Sequence, residues 1–346
     1  MKKRDLLLAL ALGISSGLTF MVVQKGKISS ESGERAHRPE GAREPSAQER
    51  VQAAMGGGPD LLREKIETRP DLAWRFRLGS AVAFLLISGA LSACLRLIIC
   101  LLTGRKVYQP LGSPPPPVWS LQQVVRFAFL LVLLGQGILL AEWAITRSFH
   151  LPWLDPTVVV VANTFFIDLA VLMTGVWLLA RRRGDPKPSF WAAARFAAVS
   201  YGTFIPVLAG LVILVAAAVR AMGYEPAPQE IFTLFFSESR SPVLAGLLLL
   251  AALIGPIAEE IFFRGLLYGG LRNRIGVGRA LVLTAFLFAC LHTDPVSFLP
   301  IFALGLLFGW VYEKTGSLAA PVAIHVLHNG VMLYAAFLIR TLTALA

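Results

Sequence analysis

Glu259, Glu260 and Arg264 lie within an apolar run from Val243 to Leu267. A charge at the centre of a bilayer costs about 2.5–3.5 kcal/mol on insertion scales, and more in simulations. Three such residues in one run therefore point to a buried functional site. Glu260 and Arg264 are four apart, share a helix face and can pair. Glu259 is rotated about 100° from Glu260 and cannot share that partner equally. Further polar residues punctuate the closing apolar runs: His292, His325, His328 and Asn329. His325 and Asn329 are again four apart, so both can face one cavity. A dry cavity holding one unshared carboxylate and two imidazoles can do general-base chemistry on water. The NH2 of Asn329 is a suitable donor to a developing oxyanion. A divalent metal such as zinc is the alternative, since Glu259, His292 and His325 are of the types that bind it.

The elements that must hold these residues are membrane helices. The chain has 346 residues, 56% hydrophobic and 15% charged. Soluble domains carry roughly 25% charge. Apolar runs recur at Ser80–Leu102, Phe127–Ile145, Thr157–Ala180, Ala197–Met222, Val243–Leu267, Ala280–His292, Val296–Tyr312 and Leu318–Leu338. Most approach the ~20 residues a helix needs to cross. The Ala280 and Val296 runs are short and predict a tight helical hairpin. The fold class is thus all-α, a polytopic transmembrane bundle of about eight to nine spans. The net charge of +11 lies at the ends of apolar runs, which suits membrane lipid rather than nucleic acid. Cys94, Cys100 and Cys290 make no disulfide framework.

Residues 1–24 read as a signal anchor or signal peptide. Residues 25–77 are rich in Glu, Arg, Ser, Gly and Pro and read as a disordered extracytoplasmic tether. Residues 78–239 hold the N-terminal transmembrane helices, and 240–338 hold the charged runs. Pro114–Pro117 predicts a stiff linker. Phe190, Trp191 and Arg195 predict an interfacial helix ahead of the Ala197 span. Gln229 to Arg240 predicts a surface-lying or gating segment. The basic loops around Arg105 and Lys106, Arg181–Arg183 and Lys187, and Arg272–Arg279 fall on one side, the cytoplasmic one.

Glu259-Glu260-x-x-x-Arg264, Phe288-x-x-x-His292 and His325-x-x-x-Asn329 together resemble the signature of the CPBP intramembrane proteases. That family takes in type II CAAX prenyl endopeptidases, their bacterial relatives and abortive-infection (Abi) proteins. The resemblance covers Ser241 to Tyr334. It implies a CPBP-type C-terminal core in a bacterial cytoplasmic membrane, and hydrolysis of a peptide bond in a membrane-associated protein or peptide. It implies Glu259 as the water-activating carboxylate with His292, an oxyanion held by His325 and Asn329, and Glu260 with Arg264 in support.

Blander readings stand beside these. Glu260 and Arg264 could simply lock two helices, and His292 could cap one. His328 is off the His325–Asn329 face and reads as a packing residue. Asp168, Glu142 and Asn163 read as polar groups hydrogen-bonded between helices or near span ends. Gly305 and Gly309 predict close helix contact. The chain has no HExxH, no GxSG and no GxGD. The alternatives to a hydrolase are a non-catalytic scaffold or immunity protein, and a proton-coupled transporter, although no internal inverted repeat is evident.

Overall fold

The computed structural model describes residues 68–343, except 107, 118, 150, 152, 182–187, 224–233, 237 and 293–295. The N-terminal apolar run, nearly all of the tether and half of the 229–240 segment lie outside the described residues. The regular secondary structure among the described residues is helical. Helix α1 is Pro70–Leu102, α2 Leu121–Ser148, α3 Pro156–Ala180 and α4 Phe190–Ala221. Helix α5 runs over Ser241–Ile275 as consecutive α and π segments. Helix α6 is Val277–Leu291, α7 Phe298–Thr315 and α8 Ala319–Thr343.

Local signals set the helix starts. Pro70 begins α1 at the first position, where its missing N–H costs nothing. Ser120 and Gln123 form a capping box at α2. Asp155 Oδ1 accepts from the backbone N–H groups of Thr157 and Val158, both at 3.0 Å, and caps α3. Two expectations change here. Pro70 to Arg77 belong to the first turns of α1 rather than to the tether. Phe190 to Arg195 are the first turns of α4, not a separate interfacial helix. Ser189 caps that helix at Ala192, and no breaker lies between it and Ala197.

Helices α1 to α5 and α8 are long and apolar enough to cross a membrane. The expected short hairpin is α6 and α7, with 15 and 18 residues, or about 22 and 27 Å of helix. Lipid tails are as apolar as Leu, so burying Leu against Leu drives little association within a bilayer. Close packing and polar contacts must do that work. The inner cluster joins Tyr201 of α4, Phe263 of α5, Phe288 of α6, Phe308 and Val311 of α7 and Ile324 of α8. Gly305 of α7 makes the α6 contact possible. A methyl group there would stand 3.1 Å from the Cα of Ala285.

The proline-rich stretch from 108 to 117 has no regular secondary structure and passes beneath the C-terminal helices. Leu111 N donates to Lys314 O at 2.8 Å, and Trp119 Nε1 donates to Leu266 O at 3.0 Å. Gly316, at φ 66°, ends α7. A Cβ there would meet Ser113 O at 2.6 Å, so the strap lies hard against that turn.

Candidate active site

Helix α5 carries both glutamates, and its backbone is irregular around them. Leu250–Ile254 and Ile261–Tyr268 are π-helical, flanking the α segment Gly255–Glu260. The cause of the first is visible in the sequence. Pro256 has no N–H to give. Gly255 donates to Leu250 O, five residues back, so the ladder is already in the wider register. The donor that register would offer Ala251 O is Pro256, and it is missing. Asn329 Nδ2 of α8 fills the gap, donating to Ala251 O at 3.0 Å. A carbonyl orphaned within α5 thus ties that helix to α8.

Glu260 and Arg264 are fully buried and paired, with Nη1 at 2.8 Å from Oε1. Arg264 Nη2 also donates to Gly305 O at 2.9 Å. Its guanidinium lies 4.7 Å from the Phe288 ring centroid and 5.2 Å from that of Phe308. Arg264 thus meets α7 through its charge and α6 and α7 through ring faces. His325 of α8 completes the cluster. Its Nδ1 is 3.0 Å from Glu260 Oε1, and its ring stacks on Phe308 with centroids 4.8 Å apart. With Nδ1–H donated to Glu260, Nε2 is presented on the other side of the ring.

That other side faces Glu259. His325 Nε2 stands 3.7 Å from Glu259 Oε2, beyond hydrogen-bond distance, so one imidazole lies between the two carboxylates. The two glutamates differ sharply in exposure: the Glu260 side chain is 0% exposed and that of Glu259 is 36%. Glu259 Oε2 itself is buried without a hydrogen-bond partner. The carboxylate therefore combines one oxygen held inside with a side open to the surroundings, which is what a base acting on water requires.

His292 closes α6. Its Nδ1 is 3.0 Å from Phe288 O, the capping arrangement of the blander reading. Donation through Nδ1 leaves Nε2 with its lone pair. Phe288 contacts both imidazoles, with centroids 4.9 Å from His292 and 5.8 Å from His325. No ion pair joins His292 to Glu259. The histidine and His325 share contact with the Phe288 ring. Among the described residues, no three of His, Cys, Asp and Glu are grouped to hold a metal ion. The set Glu259, His292 and His325 does not fit a metal ligand sphere here.

His328 packs outside the site, with Nδ1 2.9 Å from Tyr201 OH of α4. Asp168 and Asn163 depart from expectation. Asn163 Oδ1 and Asp168 Oδ2 are buried with no hydrogen-bond partner. Asp168 lies on α3 against α5. A methyl group on Gly255 would stand 3.6 Å from its Oδ2, one turn before Glu259. Asp168 is thus a further carboxylate at this site. Its only sequence signal was its isolation in an apolar run.

The comparisons with known proteins fall on the same helices. Residues 241–331 match the family model described as type II CAAX prenyl endopeptidase Rce1-like. The matched segment holds all seven polar residues singled out from Glu259 to Asn329. It is 37% identical over 86 residues to the "Membrane-embedded CAAX protease MroQ" of Staphylococcus aureus, covering 23% of this chain and 34% of that protein. It is also 28% identical over 83 residues to the "Putative membrane peptidase YdiL" of Bacillus subtilis, covering 24% of this chain and 34% of that protein. The matched stretch thus spans about a third of the length of either relative. No solved structure matches the chain. The relatives and the six long apolar helices among the described residues make this an integral membrane protein, and bacterial origin fits.

Proposed function

We propose that the chain is an intramembrane endopeptidase that cleaves a peptide bond in a membrane-associated protein or peptide. The observation that carries the reading is the asymmetry of the two adjacent glutamates. Glu260 is locked by Arg264 and His325, while Glu259 is half-open and shares only the far side of His325. In the proposed reaction Glu259 takes a proton from water as its oxygen bonds to the scissile carbonyl carbon. The proton then passes to the amine nitrogen as the C–N bond breaks. Glu260 sets the tautomer of His325, so that its Nε2 is aimed at Glu259. His292 Nε2 is the proposed orienting acceptor for water approaching past Phe288. Asn329 has one amide hydrogen on Ala251 and a second that remains for the oxyanion. No step is routed through a metal, since the residues do not gather into a ligand set.

The test uses the full chain in lipid nanodiscs with a library of apolar peptides. Glu259→Gln is expected to lower cleavage at least about a hundredfold, the usual scale for a lost general base. His328→Gln should leave most of it. Cleavage by Glu259→Gln at the wild-type rate would refute the assignment. An intact cellular phenotype in that variant would favour the scaffold reading.

A further inference from the structure

A second polar site shares no residue with the one around the glutamates. A cavity of about 240 Å³ opens between the last turns of α1, Lys106 with strap residues Tyr108, Gln109 and Leu111, and the first turns of α4. Its lining includes Arg96, Lys106 and Arg195, with Tyr108 and Gln109 beside them and no acidic residue. No ion pair engages any of these three cations among the described residues. Three uncompensated positive charges around one hollow repel each other unless an anion joins them.

The floor of this cavity is built rather than loose. Tyr108 OH is 2.5 Å from Thr203 Oγ1, and its ring packs edge-on against Trp310 with centroids 5.0 Å apart. Leu111 N is fixed to Lys314 O. The depth of the cavity follows from its rim. Phe190 and Trp191, just before the lining residue Ala192, are 60% and 79% exposed. Large aromatics exposed at the end of an apolar helix mark the level of the lipid headgroups. Arg181, at the end of α3, stacks over Trp177 at 3.7 Å in the same manner. The loops after α1 and before α4 also share a membrane side if the helices between them cross.

We infer that this cavity binds the phosphate of an anionic phospholipid headgroup, with Arg96, Lys106 and Arg195 as its counter-charges. Basic pockets between helix ends at that depth are suited to such headgroups. The bound lipid would pin α1 to α4 and press the strap against the turn after α7. This site is independent of the proposed hydrolysis.

The experiment follows thermal unfolding of the full chain in neutral detergent by tryptophan fluorescence. The added probes are short-chain phosphatidylglycerol, short-chain phosphatidylcholine and inorganic phosphate. Phosphatidylglycerol is expected to raise the unfolding temperature and phosphatidylcholine to leave it in place. In Arg96→Gln/Arg195→Gln the concentration needed for that rise should increase about thirtyfold. Lys106→Gln, ahead of the strap and outside any helix, should raise it about fivefold and serves if the double variant fails to fold. Equal response to the two lipids would overturn the proposal, as would an unaltered phosphatidylglycerol response in the variants. A full shift from inorganic phosphate alone would overturn the assignment to lipid.

Discussion

Glu259 and Glu260 lie on α5 with Asp168 of α3 against the same helix at Gly255, and each carboxyl group is treated differently. Glu260 has both Arg264 and His325; Glu259 has the far nitrogen of His325; Asp168 Oδ2 has no hydrogen-bond partner. Removing a partner from a buried ion pair leaves an uncompensated charge, which costs about 3–5 kcal/mol. Glu260→Gln should therefore unfold the protein at markedly lower temperature. Asp168→Asn should act in the opposite sense. It removes a buried carboxyl oxygen that has no hydrogen-bond partner, and a gain of about 1 kcal/mol is the scale for relieving one poorly satisfied polar group. The measurement is thermal unfolding of both variants in the same detergent. Destabilisation by Asp168→Asn comparable to that by Glu260→Gln would mean that Asp168 has a partner this geometry does not provide. A stabilised Asp168→Asn that cleaves more slowly would mark Asp168 as a residue kept for the reaction at the expense of the fold.

At the scale of elements, the decisive feature is the widened backbone of α5. Asn329→Ala would leave Ala251 O without a donor, at about 1–3 kcal/mol. Pro256→Ala would restore an N–H at the position that carbonyl lacks. The two substitutions should be non-additive, with the double variant more stable than the sum of the singles predicts. Additive losses in a double-mutant cycle would show that the Asn329–Ala251 bond does not compensate for the proline. This coupling explains which parts of the site were legible in the sequence. The Glu260–Arg264 pair was, because helix spacing alone puts both on one face. The helix positions were too, because apolar runs end at caps, Pro and Gly. The partner of Asn329 was not, since it depends on a hydrogen-bond register that changes within α5. Nor was the choice of Glu260 over Glu259 by His325 Nδ1, which depends on how α8 is rotated against α5. Asp168 was singled out only as a lone polar residue, because no spacing rule links position 168 to position 259. The interfacial helix at Phe190 was misplaced because an amphipathic start and a membrane span can be one continuous rod.

At the scale of the whole molecule, the ends of distant helices are joined by polar clasps rather than by apolar area. The one at the entry to α5 involves Glu238, Arg240, Asp155 before α3 and Arg340 of α8. Arg240 Nη2 is 2.6 Å from Asp155 Oδ2 and 2.7 Å from Glu238 Oε2, while Arg340 donates to the carbonyls of Phe235 and Glu238. Arg240 holds the Glu238 carboxyl well below its ordinary value of 4.5, at about 2, chiefly through the side-chain hydrogen bond. A carboxyl depressed by folding stabilises the fold above its unfolded pKa. That contribution fades as pH falls through the folded value. The stability difference between wild type and Glu238→Gln should thus be constant above about pH 4.5 and shrink as pH falls towards 2. Unfolding temperatures of the two proteins over that acid range supply the measurement. A difference already lost at pH 4 would mean that Arg240 does not hold the carboxylate, leaving Arg340 of α8 and its carbonyl partners Phe235 and Glu238 as the join ahead of α5.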